Sequence, residues 1–208
     1  MQEKVRSIIE ILTRQYPNAL CALQYEKDYE LLIAVRLSAQ CTDARVNLVT
    51  PALFAAYPTL EAFAGAHVSD VEQYIHSCGF FRQKAKDIVQ TSQLLLEKHG
   101  GKVPDTMEAL LQLPGVGRKT ANLLLGDIFK QPGSIVCDTH CIRICGRLGL
   151  SSGKDPEKVE RQLREILPPE ESGDFCHRIV LFGRDICTAR NPQCHKCPLS
   201  MYCTQWVP

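Results

Sequence analysis

Four of the chain's eleven cysteines, Cys187, Cys194, Cys197 and Cys203, fall within the seventeen residues 187–203, where an even spread over 208 residues would put about one. They are separated by six, two and five residues. Four thiolates in so short a segment are enough to close around one bound group. The spacing suits a tetrahedral zinc or an iron–sulfur cluster and does not choose between them, although it is not a ferredoxin spacing. Cysteine-rich chains of the reducing cytoplasm use thiols for metal more than for disulfides. The N-terminal stretch MQEKVRSIIEILTRQYPNAL has neither the unbroken apolar region nor the cleavage site of a signal peptide. The longest apolar run, Ala52 to Tyr57, is far short of the roughly 20 residues of a membrane span. A cytoplasmic protein is expected.

Apolar residues recur at intervals of three and four, and period-two alternation with Asn-Gly or Asp-Gly turns is absent, so the expected fold is all-α. Helices are expected over about 3–15, 29–39, 43–56, 69–77, 83–98, 107–112, 118–129, 139–148, 156–166 and 174–186. Ser69 with Glu72 predicts a capping box, Asp155 before Pro156 an N-cap with proline at the first helical position, and Gly100-Gly101 a helix end. The run Glu30–Leu37 is apolar on nearly every side, as a central helix would be. Gln131-Pro132-Gly133-Ser134 is loop chemistry and a reasonable domain boundary. Twenty-four basic against twenty-three acidic side chains leave a net charge of +1. A polyanion would therefore have to be met by a local patch. From Phe175 onward Arg178, Arg184, Arg190 and Lys196 face Asp185 alone, a local +3.

Between two helical patterns stands Leu113-Pro114-Gly115-Val116-Gly117-Arg118-Lys119-Thr120-Ala121-Asn122. Its glycines permit a tight turn whose N–H groups point outward together, a nest for phosphate that a nucleic-acid backbone could approach closely, with Val116 at the tip as a wedge. Lys119 falls in the first turn of the next helix, where the macrodipole disfavours an ammonium. With partial burial this would free an amine able to form a Schiff base. Asp138, in Cys137-Asp138-Thr139-His140, is placed to N-cap the following helix. The helix from Lys119 carries the chain about 16 Å and the connection can return up to about 27 Å, so Asp138 can come back beside Lys119.

LPGVGRKTAN, then CDTH, then the four cysteines, in that order, resemble the endonuclease III family over nearly the whole chain. These are bacterial DNA glycosylases with abasic-site lyase activity in the helix-hairpin-helix superfamily. The resemblance implies that Lys119 attacks the anomeric carbon and that Asp138 assists its deprotonation and steadies the oxocarbenium. It also implies that Cys187, Cys194, Cys197 and Cys203 hold a 4Fe-4S cluster. Gln40, in Leu37-Ser38-Ala39-Gln40-Cys41-Thr42-Asp43, would fill the space left by a flipped base. Phe80, in Cys78-Gly79-Phe80-Phe81, stands where the family commonly has a leucine wedge. Asp43 and His140 match positions near the active site. Gly115, Val116, Gly117, Arg118, Thr120, His140, Arg184, Arg190 and Lys196 are the expected further DNA contacts. Cys137 replaces the usual valine, but the aspartate beside it is retained. The remaining seven cysteines are expected to be structural.

The resemblance implies two helical modules in a monomer: a six-helix barrel over 20–132 with its helix-hairpin-helix motif at about 107–128, and residues 1–19 with 133–208 around the cluster, with catalysis in the cleft between. The implied reaction is base excision repair: removal of oxidised or ring-damaged pyrimidines from double-stranded DNA, then β-elimination at the abasic site. The implied location is the cytoplasm, on nucleoid DNA, with no membrane partner. An adenine-mismatch glycosylase shares the hairpin and cluster but lacks the hairpin lysine and has a further C-terminal domain. A methyl-purine or thymine-mismatch specialist is a second alternative. A non-catalytic DNA-binding module would have no use for Lys119 with Asp138, and an electron-transfer protein none for the hairpin.

Overall fold

The computed structural model describes residues 1–205. Among them the regular structure is helical and no strand occurs, as the three- and four-residue periodicity requires. None of these helices is long and apolar enough to cross a membrane. The chain divides into two compact units, one of Met1–Cys21 with the chain from Lys130 onward, the other Ala22–Phe129.

After α1 (Gln2–Gln15) of the first unit, the second holds α2 (Asp28–Ser38), α3 (Asp43–Ala56), α4 (Leu60–Ala64), α5 (Val68–Ile75), α6 (Phe81–His99), α7 (Met107–Leu110) and α8 (Arg118–Asp127). Helix α2 buries Leu31 to Val35 and Leu37 and packs on α3, α6 and α8, because a helix without a polar face must find cover on several sides. Its buried acid is satisfied at once: Glu30 Oε2 accepts from the backbone N–H groups of Glu26 at 2.9 Å and Lys27 at 3.2 Å. Helix α6 stops at Gly100, in the left-handed region at φ 58°.

Two local details depart from the sequence reading. Helix α4 is too short to show a period. Its one signal is Thr59, whose hydroxyl accepts from the Ala62 N–H at 3.2 Å, and it delivers Phe63 into a ring cluster with Tyr29, Phe54 and Tyr57. The capping box expected at Ser69 does not form. Gly65 caps α4, leaving only Ala66 and His67 as a link, so the backbone is already helical at Val68 and Ser69 lies inside α5. Its hydroxyl reaches only Asp70 Oδ1, at 3.4 Å.

The glycine hairpin rests on an ion pair that joins α2 to α6. Arg36 meets Asp87 Oδ2 through Nη2 at 2.6 Å and Nε at 2.7 Å, while Gln83 Nε2 donates to Asp87 Oδ1 at 2.8 Å. Gly115, at φ 72°, lies directly on this pair: a Cβ there would collide with Arg36 and Asp87. The turn thus needs glycine for conformation and for space. Thr91 adds a longer bond to the Pro114 carbonyl, at 3.4 Å.

The first unit packs α1 with α9 (Thr139–Arg147), α10 (Pro156–Ile166) and α11 (Ser172–Asp185). Val5, Ile8, Ile9 and Leu12 of α1 share one core with Cys141, Ile144 and Cys145 of α9, Val159 and Leu163 of α10, and Phe175, Ile179 and Phe182 of α11. Asp155 caps α10 ahead of Pro156, accepting from the Glu157 and Lys158 N–H groups. Removing Asp87 would leave the half-buried Arg36 guanidinium without its carboxylate partner. Asp87→Ala should cost about 3 kcal/mol, the lower part of the range for breaking a buried pair because Arg36 keeps some solvent contact. A urea unfolding midpoint that does not move would contradict this.

Candidate functional site

Gly117, extended at φ −102° and ψ 176°, is the N-cap of α8. Lys119 is therefore its second residue, and the amides of this first turn have no helical acceptor by position. Ala121, Asn122, Leu124 and Leu125 turn inward, which leaves Lys119 exposed while Arg118 and Thr120 are half-buried. Lys119 thus stands in the first turn of α8, at the positive end of the helix. The partial burial expected of it is not found. Val116 corrects the reading further. It is only 8% exposed and its N–H donates back to the Leu113 carbonyl at 3.1 Å. The closed turn points this side chain into the apolar interior, where burial is worth roughly 1.5–3 kcal/mol, so the hairpin offers backbone at Gly115 and Gly117 and no apolar wedge at its tip.

Asp138 combines two jobs. Its Oδ1 accepts from the Cys141 N–H at 2.7 Å, capping α9, and its Oδ2 accepts from His140 Nδ1 at 2.8 Å. The side chain is 16% exposed: fixed by two bonds, yet still open to solvent. His140 is positioned in turn by α11, which passes so close that a Cβ on Gly183 would meet His140 Cδ2 at 2.6 Å and Ile144 Cδ1 at 2.8 Å.

Gln40 and Phe80 share an unusual backbone. Gln40 has φ 54° and Phe80 φ 58°, in the left-handed region that residues with a Cβ seldom occupy. Both are exposed, Phe80 by 67%. Their segments touch: a Cβ on Gly79 would lie 3.4 Å from the Gln40 carbonyl oxygen. A large ring held in solvent on a strained backbone gains nothing for the free protein, and strain of this kind collects where a ligand is engaged. Asp43 begins α3 within its first turn, but the cap is Thr42, whose hydroxyl accepts from the Arg45 N–H at 3.2 Å.

The four cysteines line one cavity of about 470 Å³ together with Arg147, Ile186, Ala189, Arg190 and His195. Burial pushes the Cys197 thiol above its ordinary value; a hydrogen bond at Leu199 opposes this, and the charges of Cys187, Cys203 and Cys194 add to it. Among the described residues no three His, Cys, Asp or Glu side chains converge as a single ion needs. Ligands arranged around a cavity without meeting at a point fit a polynuclear group better than one zinc.

Two arginines of α9, not singled out by the sequence, hold this segment. Arg143 Nη2 donates to the carbonyls of Gly183 at 3.3 Å and Cys187 at 3.0 Å. Arg147 Nη1 donates to Cys187 Sγ at 3.2 Å and the Thr188 carbonyl at 3.1 Å. The Arg147 carbonyl accepts from the Thr204 N–H at 2.7 Å, so one residue grips the segment before the second cysteine and after the fourth. Their four-residue spacing is the only signal the sequence offered. Arg190, His195 and Lys196 are exposed on the segment, and Arg184 at the end of α11 is also exposed. Arg178 does not join them: it is 8% exposed and paired with Asp174 at 3.1 Å, an i, i+4 partner just outside the stretch whose charge was counted.

Residues 33–169 match the HhH-GPD superfamily of base excision DNA repair proteins. Residues 187–203 match the iron-sulfur binding domain of endonuclease III. Endonuclease III of Synechocystis sp. is 44% identical over 202 residues, 97% of this chain and 92% of that protein. Endonuclease III of Escherichia coli K12 is 42% identical over 198 residues, 94% and 93% of the two. The fold is similar to that of a trapped endonuclease III–DNA covalent intermediate, with a TM-score of 0.92 at 40% identity over 98% of this chain and 96% of that one.

The grip of Arg147 yields a measurable expectation. Arg147→Met keeps the stem of the side chain but loses the donors to Cys187 and Thr188. Iron should then be lost to a chelator about tenfold faster or more, the usual scale for removing a partner of a metal ligand. An unchanged rate would mean that the cysteines need no such support.

Proposed function

The chain belongs to the endonuclease III family of the HhH-GPD superfamily, and on that footing we propose that it removes oxidised or ring-damaged pyrimidines from duplex DNA through a Schiff base on Lys119. It is a bifunctional DNA glycosylase and abasic-site lyase of base excision repair that acts on double-stranded DNA and carries a 4Fe-4S cluster. Lysine chemistry, pyrimidine preference and residue roles are the proposal.

In this reading Lys119 supplies the nucleophile. Its amine attacks the anomeric carbon of the extruded nucleotide, the glycosidic bond breaks and the base leaves. Positive charge develops on the sugar as this happens, and the Asp138 carboxylate stabilises it and takes up the amine's proton. The sugar ring opens to a Schiff base with Lys119, which acidifies the neighbouring carbon. Loss of that proton expels the 3′ phosphate by β-elimination, and water then releases Lys119. The observation that carries the reading is Asp138 itself: its two oxygens are committed to the α9 cap and to His140, so the carboxylate is oriented before substrate arrives.

Gly115 and Gly117 are proposed to admit the DNA backbone to the first-turn amides of α8, with Arg118 and Thr120 beside them. Gln40 and Phe80 occupy the vacated stack, the ring by stacking where an aliphatic wedge would only obstruct. When bound, the cluster supplies a four-point cross-link between Cys187, Cys194, Cys197 and Cys203. That cross-link fixes the segment carrying Arg190 and Lys196, which with Arg184 meets phosphates.

Borohydride should trap the protein on an abasic oligonucleotide, and Lys119→Gln should abolish trapping. Asp138→Asn keeps the cap but loses the charge, and should slow excision by about a hundredfold or more, the scale of losing one transition-state stabiliser, with DNA affinity retained. Undiminished trapping by the Lys119 variant would overturn the assignment. Duplexes bearing thymine glycol, dihydrouracil, 8-oxoguanine mispairs or plain abasic sites test the preference: excision confined to mispaired purines would refute the pyrimidine reading.

A further inference from the structure

Cys41 and Cys78 lie 37 residues apart in sequence, yet the turns that carry them meet, a Cβ on Gly79 lying 3.4 Å from the Gln40 carbonyl oxygen, and the two thiols are within electrostatic reach of one another. Cys41 sits in the turn after α2, its N–H donating to the Ser38 carbonyl at 3.1 Å; Cys78 sits in the turn after α5, its N–H donating to Ile75 at 2.8 Å. The first is half-buried and the second fully buried. Each adjoins one of the two strained, exposed residues: Cys41 directly follows Gln40, and Cys78 precedes Gly79-Phe80. Lys84, buried and donating to the Leu37 carbonyl at 2.8 Å, lies within electrostatic reach of both sulfurs. Neither cysteine belongs to the cluster set.

We infer that Cys41 and Cys78 are a reversible dithiol–disulfide site, oxidised by exchange with a low-molecular-weight disulfide, and that the closed bond staples together the two segments that present Gln40 and Phe80. Thiols carried on two adjoining turns can be brought to the S–S distance of about 2.05 Å. The order of attack follows from exposure. Cys41, the reachable thiol, attacks the small disulfide as thiolate and expels one small thiolate, leaving a mixed disulfide. Cys78 then gives up its proton, attacks the Cys41 sulfur and expels the second. Two electrons pass from the cysteine pair to the small disulfide, which leaves as two thiols carrying the two protons. Lys84 supplies the positive charge that a thiolate in this pocket requires. Burial, and then Cys41, push the Cys78 thiol up to about 11, which suits the resolving position and not the attacking one.

The effect on DNA rests on the proposed role of Gln40 and Phe80 in filling the stack. A staple between their segments prevents the two from separating as they enter a duplex, and should lower affinity for lesion-bearing DNA.

The test uses the cluster-loaded protein incubated anaerobically with oxidised glutathione, with visible absorbance confirming that the cluster is intact. Peptide mapping should find the Cys41 and Cys78 peptides joined and two hydrogens lighter, and dithiothreitol should separate them. Cys41→Ser and Cys78→Ser should each abolish the joined peptide. Its absence from the wild-type protein would overturn the site. Binding to a duplex carrying an abasic analogue should be about tenfold weaker in the oxidised form, an order-of-magnitude effect worth one decade in Kd, and should recover on reduction. Equal affinity in both forms would overturn the staple's effect. Reduced Gln40→Ala protein separates the two ideas: if it binds and excises as wild type, the stack-filling role fails while the joined peptide still forms.

Discussion

The hydrogen bond from the Cys141 amide to Asp138 decides where α9 begins, and the chemistry of that unit is measured from it. A helix advances 1.5 Å per residue and repeats every 3.6, so fixing residue 138 fixes His140, Arg143 and Arg147 in direction as well as distance. The same carboxylate that starts the helix holds His140 with its other oxygen. At the far end Arg147 grips the segment of cluster ligands from both sides. One short helix therefore connects the Asp138 carboxylate at its start with the four-cysteine segment at its far end.

The second unit uses a different economy. Its hairpin carries no apolar wedge, since Val116 is turned inward, and the surface it presents is backbone brought forward by two glycines. What gives that backbone a fixed place is the Arg36–Asp87 pair under Gly115. Large side chains are displayed elsewhere, at Gln40 and Phe80, on backbone that only a well-packed surround can hold in the left-handed region. The surround is visible: buried Leu37 before one, buried Cys78 before the other, and the Lys84 ammonium bound to the Leu37 carbonyl.

Most of the helical architecture was legible in the chain, because the information is local: a three- and four-residue period, an aspartate before proline at Asp155, a glycine after α6. Failures came where local signals competed or partners were distant. Ser69 has the right neighbours for a capping box but the wrong distance from the previous helix. Val116 is as apolar as any wedge, and only the closed turn reveals that it faces inward. Arg178 counts as charge in a window and is neutralised by Asp174 one residue outside it. The Arg36–Asp87 pair spans 51 residues, and nothing in either segment announces the other. For the site, residue types and their order were readable in the sequence; the bonds that orient Asp138, and the arginines that clasp the cysteines, required coordinates.

Gly183 leaves no room for adjustment where α11 crosses α9. With His140, Ile144 and Arg143 already pressed against the place a methyl would occupy, any larger residue must displace these side chains, among them the ring that bonds Asp138. A side chain is changed more readily at turns such as those at Gln40 and Phe80, where it stands in solvent, than at this crossing.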